Sequence, residues 1–498
     1  MIKYLKENAD YSIDLRALGL ARIHLGFAIL ISTFFYMMAI PGYFNPEGVF
    51  GKELSNLGDF RFSLLYASYF TPAITYCIFL ANIILSLLYI IGYNVKIVGV
   101  LLFILTTSIE VFIQDTEISN AANQYSHFIL FWMLFLPVDR RYSLFSEKTD
   151  ELTVSGVPVF SLRMQIAIVY FIAGLAKFGE SWTKDFSAVK RTLVSDFASD
   201  IGTWLGHNLP EGILKSLTII TLAFEYGMPL LLFSPFKRKL CDNLAALSIF
   251  IFHFGLSIVA RLDFFVLVFS INSSLLMKGK VLDWIDQYMM YLSGFQLKLR
   301  EYFNSFKNKI KSLFKSPETK NLFLLFMVII TIQSNLRVAR NYPLESRDFI
   351  TPIKNLLGFD QGWGMFGPEG PHVISWIALQ GEFQDGVLYD LLNSTQNGDP
   401  VRPKNIDYYY KDRLMRLAVP LIIQVARGKS SIEQRSKVAT SYAKFYCHKI
   451  NDVREDNFLK VLYIYGVDEV VIKGKEEKLN NPISELVFKY DCLNDQRI

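Results

Sequence analysis

Apolar runs long enough to cross a lipid bilayer recur along this chain, and nothing else in the sequence constrains its fold as tightly. In hydrocarbon no water satisfies a backbone N–H or C=O, so a segment lying there must close its own hydrogen bonds as a helix. A bilayer core takes roughly 20 apolar residues per helix. By that measure about nine segments are expected to span: Leu20–Ile40, Ala73–Ile91, Ile97–Phe112, Ser126–Val138, Pro158–Ala176, Ser216–Phe233, Leu244–Ala260, Phe264–Met277 and Asn321–Gln333. The run from Ser126 is preceded by polar AANQY and the run from Phe264 follows RLD, so each is expected to be tilted, broken or half-inserted. Composition points the same way, with 52% hydrophobic, 15% aromatic and 19% charged residues, too apolar for an ordinary soluble protein. The expected fold class is an α-helical polytopic membrane protein carrying a C-terminal extracytoplasmic α+β domain.

The gaps between runs give an independent reading of sidedness, because Lys and Arg gather in cytoplasmic loops. With Lys3, Lys6 and Arg16 inside, alternate gaps carry Lys96, then Arg140, Arg141 and Lys148, then Lys237, Arg238 and Lys239, then the basic stretch 278–320. The opposite gaps are mixed or acidic, with Glu47, Glu53 and Asp59 in the first and QDTEISN in the second. The N-terminus is therefore expected in the cytoplasm, and nine spans place the C-terminal region outside. The opening MIKYLKENAD is too charged for a typical cleaved signal peptide, so the first span is expected to stay. The net charge of +5 is spread in short blocks rather than one stripe, which gives no footprint for nucleic acid. Within Val281–Phe314, aromatic and aliphatic residues alternate with lysines at helical spacing, as in a helix lying at the lipid surface.

From about Arg340 the text changes, so the bundle is assigned residues 1–339 and a soluble domain residues 340–498. HVISWIALQGEF at His372–Phe383 and NFLKVLYIYG at Asn457–Gly466 read as strands, and Ser431–Ile450 as a helix. The four cysteines, Cys77, Cys241, Cys447 and Cys492, have no metal or CxxC spacing. In an outer domain Cys447 and Cys492 are free to pair. Arg22, His24, Glu110, His253, Arg261 and Asp263 lie in or beside spans, where an ionisable group is costly unless paired. Glu110 is expected to pair with Arg22 or His24.

The most informative segment is YFIAGLAKFGESWTKDFSAV at Tyr170–Val189, an apolar run ending on Lys177 at the outer face, where the positive-inside bias gives a lysine no reason to be. It resembles the span-and-loop motif of vitamin K-dependent gamma-glutamyl carboxylases and of the horizontally transferred transmembrane domain (HTTM) family. The shared pattern is Tyr170-Phe171-Ile172-Ala173-Gly174, Lys177, Trp182 and Phe186. ALGLARIHLGFAIL, NQYSHFILFWMLFLPVDRRYSLF and QGWGMFGPEGPH look like other parts of that family more loosely. The resemblance implies a bacterial plasma-membrane enzyme in which Lys177 is the base that deprotonates a reduced quinone, a vitamin K hydroquinone. Oxygen then turns the quinone into a stronger base that takes a proton from a glutamate side chain, and carbon dioxide adds. An apolar pocket disfavours the ammonium form, leaving an amine able to accept a proton. Trp182 and Phe186 are expected to wall the quinone site. The implied partners are membrane lipid, the lipid-soluble quinone and a secreted peptide or protein substrate, presented by an outer domain docked over the loops Gly51–Arg61 and Phe178–Ser195.

Two departures bear on the activity. Ala176 stands where the carboxylases have a second lysine, and their Asn-His pair is replaced by Asn123-Gln124-Tyr125-Ser126-His127. Tyr125 is the positional match to the histidine, while His127 lies roughly 200° further round a helix. Both are kept with Lys177 as candidate catalytic residues. Two other classes stay open: a non-carboxylase protein acting in maturation or export of a secreted peptide, and a proton- or ion-coupled transporter. The transporter class predicts inverted repeats, and no convincing internal repeat is present.

Overall fold

The computed structural model describes residues 11–38, 40, 44, 63–65, 73–115, 121–145, 151–195, 198–262, 264–291, 316–340, 350–359, 361–371, 373–392, 395–396, 432–470 and 483–497. Expectations placed on Glu47, Glu53, Asp59, Lys148, Asp263, the loop 51–61 and the lipid-surface stretch beyond Tyr291 lie outside these residues.

The helices that matter here are α1 Leu15–Met38, α2 Ala73–Ile91, α3 Val95–Asp115, α4 Ala121–Met133, α5 Val157–Ala176, α6 Glu211–Leu232, α7 Arg238–Val259, α8 Phe265–Phe269, α9 Ile271–Leu276, α10 Lys280–Tyr291, α11 Pro317–Arg340 and α12 Ile350–Leu357. Among the described residues six of them, α1, α2, α3, α5, α6 and α7, are long and apolar enough to cross a membrane. The number is seven if the bent run α8–α10 counts as one span.

Three of the nine expected spans are not among the six: Asn321–Gln333 lies within α11, and the other two take a different form. Helix α4 covers Ala121–Met133 rather than Ser126–Val138, and 13 residues rise only about 20 Å, short of a bilayer core of about 30 Å. It ends because the chain tightens into i→i+3 bonds at Phe135 and Leu136 before Pro137, which cannot extend a helix. The Phe264–Met277 run is interrupted at Ser270 and then bends by 109° into α10, with Gly279 at φ 73 making the corner.

Helix α5 is the centre of the bundle, packed by α4, α6 and α11. Both α1 and α5 start from one end, where Ile13–Asp14 pairs with Thr153–Val154. That end is rich in charge. Asp242 of α7 is fully buried, held by Arg163 of α5 at 2.8 and 3.0 Å, by Lys278 at 2.7 Å and by Arg238 at 3.4 Å. Arg16 joins Asp14 to Asp283, and Gly19 packs on the Arg141 carbonyl so closely that a Cβ would come within 2.6 Å of its oxygen. Arg22 donates to the carbonyls of Tyr89 and Tyr142, and His24 bonds Ser274. Backbone carbonyls in the turns around Gly92 and Tyr142 supply the acceptors.

Beyond α11 the chain returns into the bundle before any strand begins. Phe359 and Trp363 are fully buried in the main helical core. The return is fixed by polar contacts: Trp132 Nε1 donates to Gln165 (3.2 Å), Gln165 Nε2 to Gln361 (3.0 Å), and Trp363 Nε1 to Gln361 (2.8 Å). An antiparallel six-stranded sheet follows, with β1 Val373–Phe383, β2 Leu388–Asp390, β3 Thr395–Gln396, β4 Leu459–Val470, β5 Ile483–Asp491 and β6 Gln496–Arg497 in the order β3-β2-β1-β4-β5-β6. Helix α13, Ile432–Asn451, lies on β4 and β5, and a Cys447–Cys492 disulfide ties it to the end of β5. Ile377, Leu379, Tyr442, Leu462 and Ile464 share one apolar cluster with Tyr36, Phe79 and Phe112, so the sheet sits on the end of the bundle where α1 and α3 finish.

Candidate functional site

Helix α5 finishes at that same end, and its C-cap is Lys177, with φ −91 and ψ 60. The helix stops one residue before the lysine, so the side chain folds back along the last turn and its Nζ donates to the Ala173 carbonyl at 3.1 Å, satisfying one of the acceptors a helix C-terminus leaves open. Lys177 is only 3% exposed. A snorkelling anchor keeps its ammonium in water; this one points inward and donates to Glu225 Oε1 of α6 at 2.8 Å. Glu225 is itself 5% exposed, and its other oxygen, Oε2, is buried without a partner among the described residues.

The pair lines a cavity of about 110 Å³ among α5, α6 and α7. Its walls include Tyr170, Trp182, Phe252, Phe269 and Phe366, and they are almost wholly apolar away from Lys177 and Glu225. Thr221, Phe252 and Leu256 are half-buried, so the cavity reaches the surface between α6 and α7. Ile220, Ile251 and Phe254 of these helices are exposed apolar residues, as a lipid-facing surface requires. His253 closes the deep side with Nδ1 bonded to the Ile249 carbonyl (2.8 Å) and its ring stacked on Phe269 (5.4 Å).

The roof comes from the segment after the bundle. Met365 and Phe366 line the cavity, and the Phe366 carbonyl accepts from Trp182 Nε1 at 2.9 Å. Gly367 rests on the end of α5, where a Cβ would lie 2.5 Å from the Ala176 oxygen. The Glu369 carboxylate accepts from the Ser181 N–H at 2.9 Å and from the Ser181 hydroxyl. Burial pushes this carboxyl up, but those bonds and the Glu180 N–H outweigh it and hold Glu369 below the usual carboxylate range. The expected docking on Phe178–Ser195 is thus made by Gly367–Glu369, the approach to the sheet.

The sequence-derived site residues divide. Lys177 and Trp182 line the cavity together, with Nζ 5.3 Å from the ring centre. Tyr125 stands one ring behind the wall, stacked on Phe269 at 4.4 Å with its hydroxyl donating to Asn272 at 2.6 Å. His127 bonds the Leu357 carbonyl through Nε2 at 2.8 Å and stacks on Phe103 at 4.6 Å, away from the cavity walls. Phe186 is half-buried at φ 55 and is not among the lining residues. Glu225 went unremarked in the sequence, although a lone carboxylate in the run Ser216–Phe233 is the signal that marks such a residue. Among the described residues no cluster of His, Cys, Asp or Glu could hold a metal ion.

No curated protein and no solved structure matches the chain. Residues 11–284, more than half of it and including every helix that contributes to the Lys177 cavity, match the family model of the HTTM domain. The chain therefore belongs to the HTTM family of membrane domains, which includes vitamin K-dependent carboxylase-related proteins.

Proposed function

We propose that this protein is a membrane enzyme that holds a reduced, lipid-soluble quinone in the Lys177 cavity and uses it at the outer membrane face to modify a secreted peptide or protein. The observation that carries the reading is a lysine buried in an aromatic, lipid-facing cavity beside a carboxylate with one unpartnered oxygen. Flat walls at Trp182 and Phe252 suit a ring, two polar groups suit its hydroxyl, and the α6–α7 face offers an apolar tail a way into lipid. At about 110 Å³ the cavity is smaller than the roughly 150 Å³ that accepts benzene, so a single ring is its upper limit as it stands and a two-ring quinone needs Met365 or Phe366 to move.

Outer sidedness is supported by the charges. Arg16, Arg141, Arg238 and Lys278 gather at the end away from Lys177, as cytoplasmic residues do. With the sheet on the Lys177 end, the Cys447–Cys492 bond lies where oxidation is permitted. On this reading the helical segments alternate across the membrane, and the C-terminal domain shields the cavity mouth from water while presenting the substrate. When bound, the quinone with oxygen and carbon dioxide supplies the chemistry of glutamate carboxylation. Lys177 and Glu225 receive and hold the proton of its hydroxyl, Tyr170 and Trp182 orient the ring, and the 365–370 segment excludes water.

Oxygen uptake by purified protein in lipid nanodiscs, supplied with vitamin K hydroquinone above its spontaneous oxidation, tests this. Wild type is expected to accelerate uptake, and Lys177→Ala to abolish the acceleration. Equal uptake by the two proteins removes Lys177 from the chemistry.

A further inference from the structure

The Lys177–Glu225 pair raises a question that the lysine alone does not: which member takes the proton. Lys177 Nζ already spends two donors, on Glu225 Oε1 and on the Ala173 carbonyl. A lysine that donates to a carboxylate at 2.8 Å is the filled half of the pair. Its partner is the empty half. Glu225 Oε2 is buried, faces no donor among the described residues and belongs to a side chain lining the cavity. A buried carboxylate oxygen left without a hydrogen bond loses the stabilisation that water gave it, and a ligand donor restores it.

We infer that Glu225 is the proton acceptor of this site, taking the hydroxyl proton of a phenol-type ring through Oε2 while the Lys177 ammonium holds the oxygen left behind. The inference rests on the quinone reading of the cavity. Glu225 Oε2 accepts the O–H hydrogen bond, the O–H bond breaks, its electron pair stays on the ring oxygen, and the proton becomes an O–H on Glu225. No electron moves. Before the step the cavity holds one ammonium, one carboxylate and a neutral ligand; afterwards it holds one ammonium, a neutral carboxyl and a ring oxyanion. The net charge is zero throughout, which matters in an apolar enclosure where an uncompensated charge is expensive. A lone neutral lysine performing the same transfer creates two charges from none. The other titratable groups on the cavity are Tyr170 and His253, and both are engaged, Tyr170 by Asn272 at 3.5 Å and His253 by Ile249.

The test uses 4-nitrophenol, a single-ring phenol that is not oxidised and whose colour reports its ionisation, titrated over pH against full-length protein in lipid nanodiscs. Wild type is expected to bind it and hold it as the phenolate. In Glu225→Gln, which keeps an oxygen to accept from Lys177 but cannot take a proton, the phenolate beside the Lys177 ammonium is expected to form only with loss of its proton to the buffer, so that binding below the free probe's own pKa releases about one proton per probe where wild type releases about none, read by calorimetry in buffers of different ionisation enthalpy. Glu225→Asp, retaining the carboxylate one methylene further back, is expected to bind more weakly and to keep the proton, releasing less than Glu225→Gln. Lys177→Arg keeps a cation and keeps the phenolate. Phenolate formation in Glu225→Gln with no more proton release than in wild type overturns the assignment and returns the proton to Lys177. If wild type does not bind the probe at all, the quinone reading itself fails, and the two failures are thereby distinct.

Discussion

The Cys447–Cys492 bond makes a prediction whose size follows from the chain length it closes. The two residues are 45 apart in sequence. The loop-closure relation assigns such a crosslink about 4 kcal/mol at 25 °C, mostly by restricting the unfolded chain. The bond joins α13 to the end of β5, so Cys447→Ala with Cys492→Ala should loosen those two elements and β4 between them. Cys447 is fully buried, and alanine in its place also leaves a small void. Hydrogen exchange in lipid nanodiscs is the assay. If the sheet opens as its own unit, amides of β4 and β5 should exchange up to about a thousandfold faster in the double variant, while α5 and α6 are unchanged. Thiol counting tests the premise: protein trapped in intact cells with an alkylating reagent and then denatured should show two reactive thiols, Cys77 and Cys241. Four reactive thiols would mean that the bond does not form where the protein resides, and the argument that the sheet lies outside the cytoplasm would lose its covalent support. A change in exchange below tenfold would refute the stability argument instead.

Three further outcomes follow from named contacts. Asp242→Asn leaves Arg163, Lys278 and Arg238 around a neutral amide and should cost about 3–5 kcal/mol, read as a lower midpoint in denaturant titration of the micellar protein, with 4-nitrophenol binding retained at folding conditions. Gly367→Ala drives a Cβ against the Ala176 carbonyl and should displace the roof for about 1–3 kcal/mol, seen as faster exchange at Met365 and Phe366 and weaker probe binding. Glu369 carries a depressed folded-state pKa, so its contribution is present above the unfolded value of about 4.3 and disappears as pH falls through the folded value. The stability difference between wild type and Glu369→Gln should therefore be constant near neutral pH and shrink below about pH 4; a difference that grows on acidification would reverse the assigned sign.

Much of the fold was legible because hydrocarbon enforces a rule that one sequence can state. The run Ala73–Ile91 has the bounds of α2, the strand expected at His372–Phe383 ends with β1 at Phe383, and the helix expected to end at Ile450 ends one residue later, at Asn451. What escaped reading depends on the third dimension. The run at Ser126 is apolar enough, yet α4 starts five residues earlier because Asn123 finds Ser32 and Tyr36 on α1 and can be buried there. The text after Arg340 looks like the start of a soluble domain, but Phe359 and Trp363 belong to the helical core. No local pattern reveals that, since the glutamines holding the segment, Gln165 and Gln361, are 196 residues apart.

The site was legible in one half for a related reason. Lys177 stands out because a cation on the side that the loop charges assign to the outside needs a cause, whereas Glu225 is a single carboxylate in a run that passes as a span with or without it. Its meaning is relational. Only when α5 and α6 pack does the carboxylate come 2.8 Å from the amine, and only then does its second oxygen become an acceptor with nothing to accept from. The same relation explains the roles of Tyr125 and His127. Residues two apart on a helix point to different faces. On α4, Tyr125 turns toward Phe269 and the rear of the cavity, and His127 toward Phe103 and the returning segment at Leu357. The positional match, Tyr125, stops one ring short of the cavity and the nearby histidine, His127, faces away from it; the carboxylate on another helix, invisible to that alignment, is the group that touches the lysine.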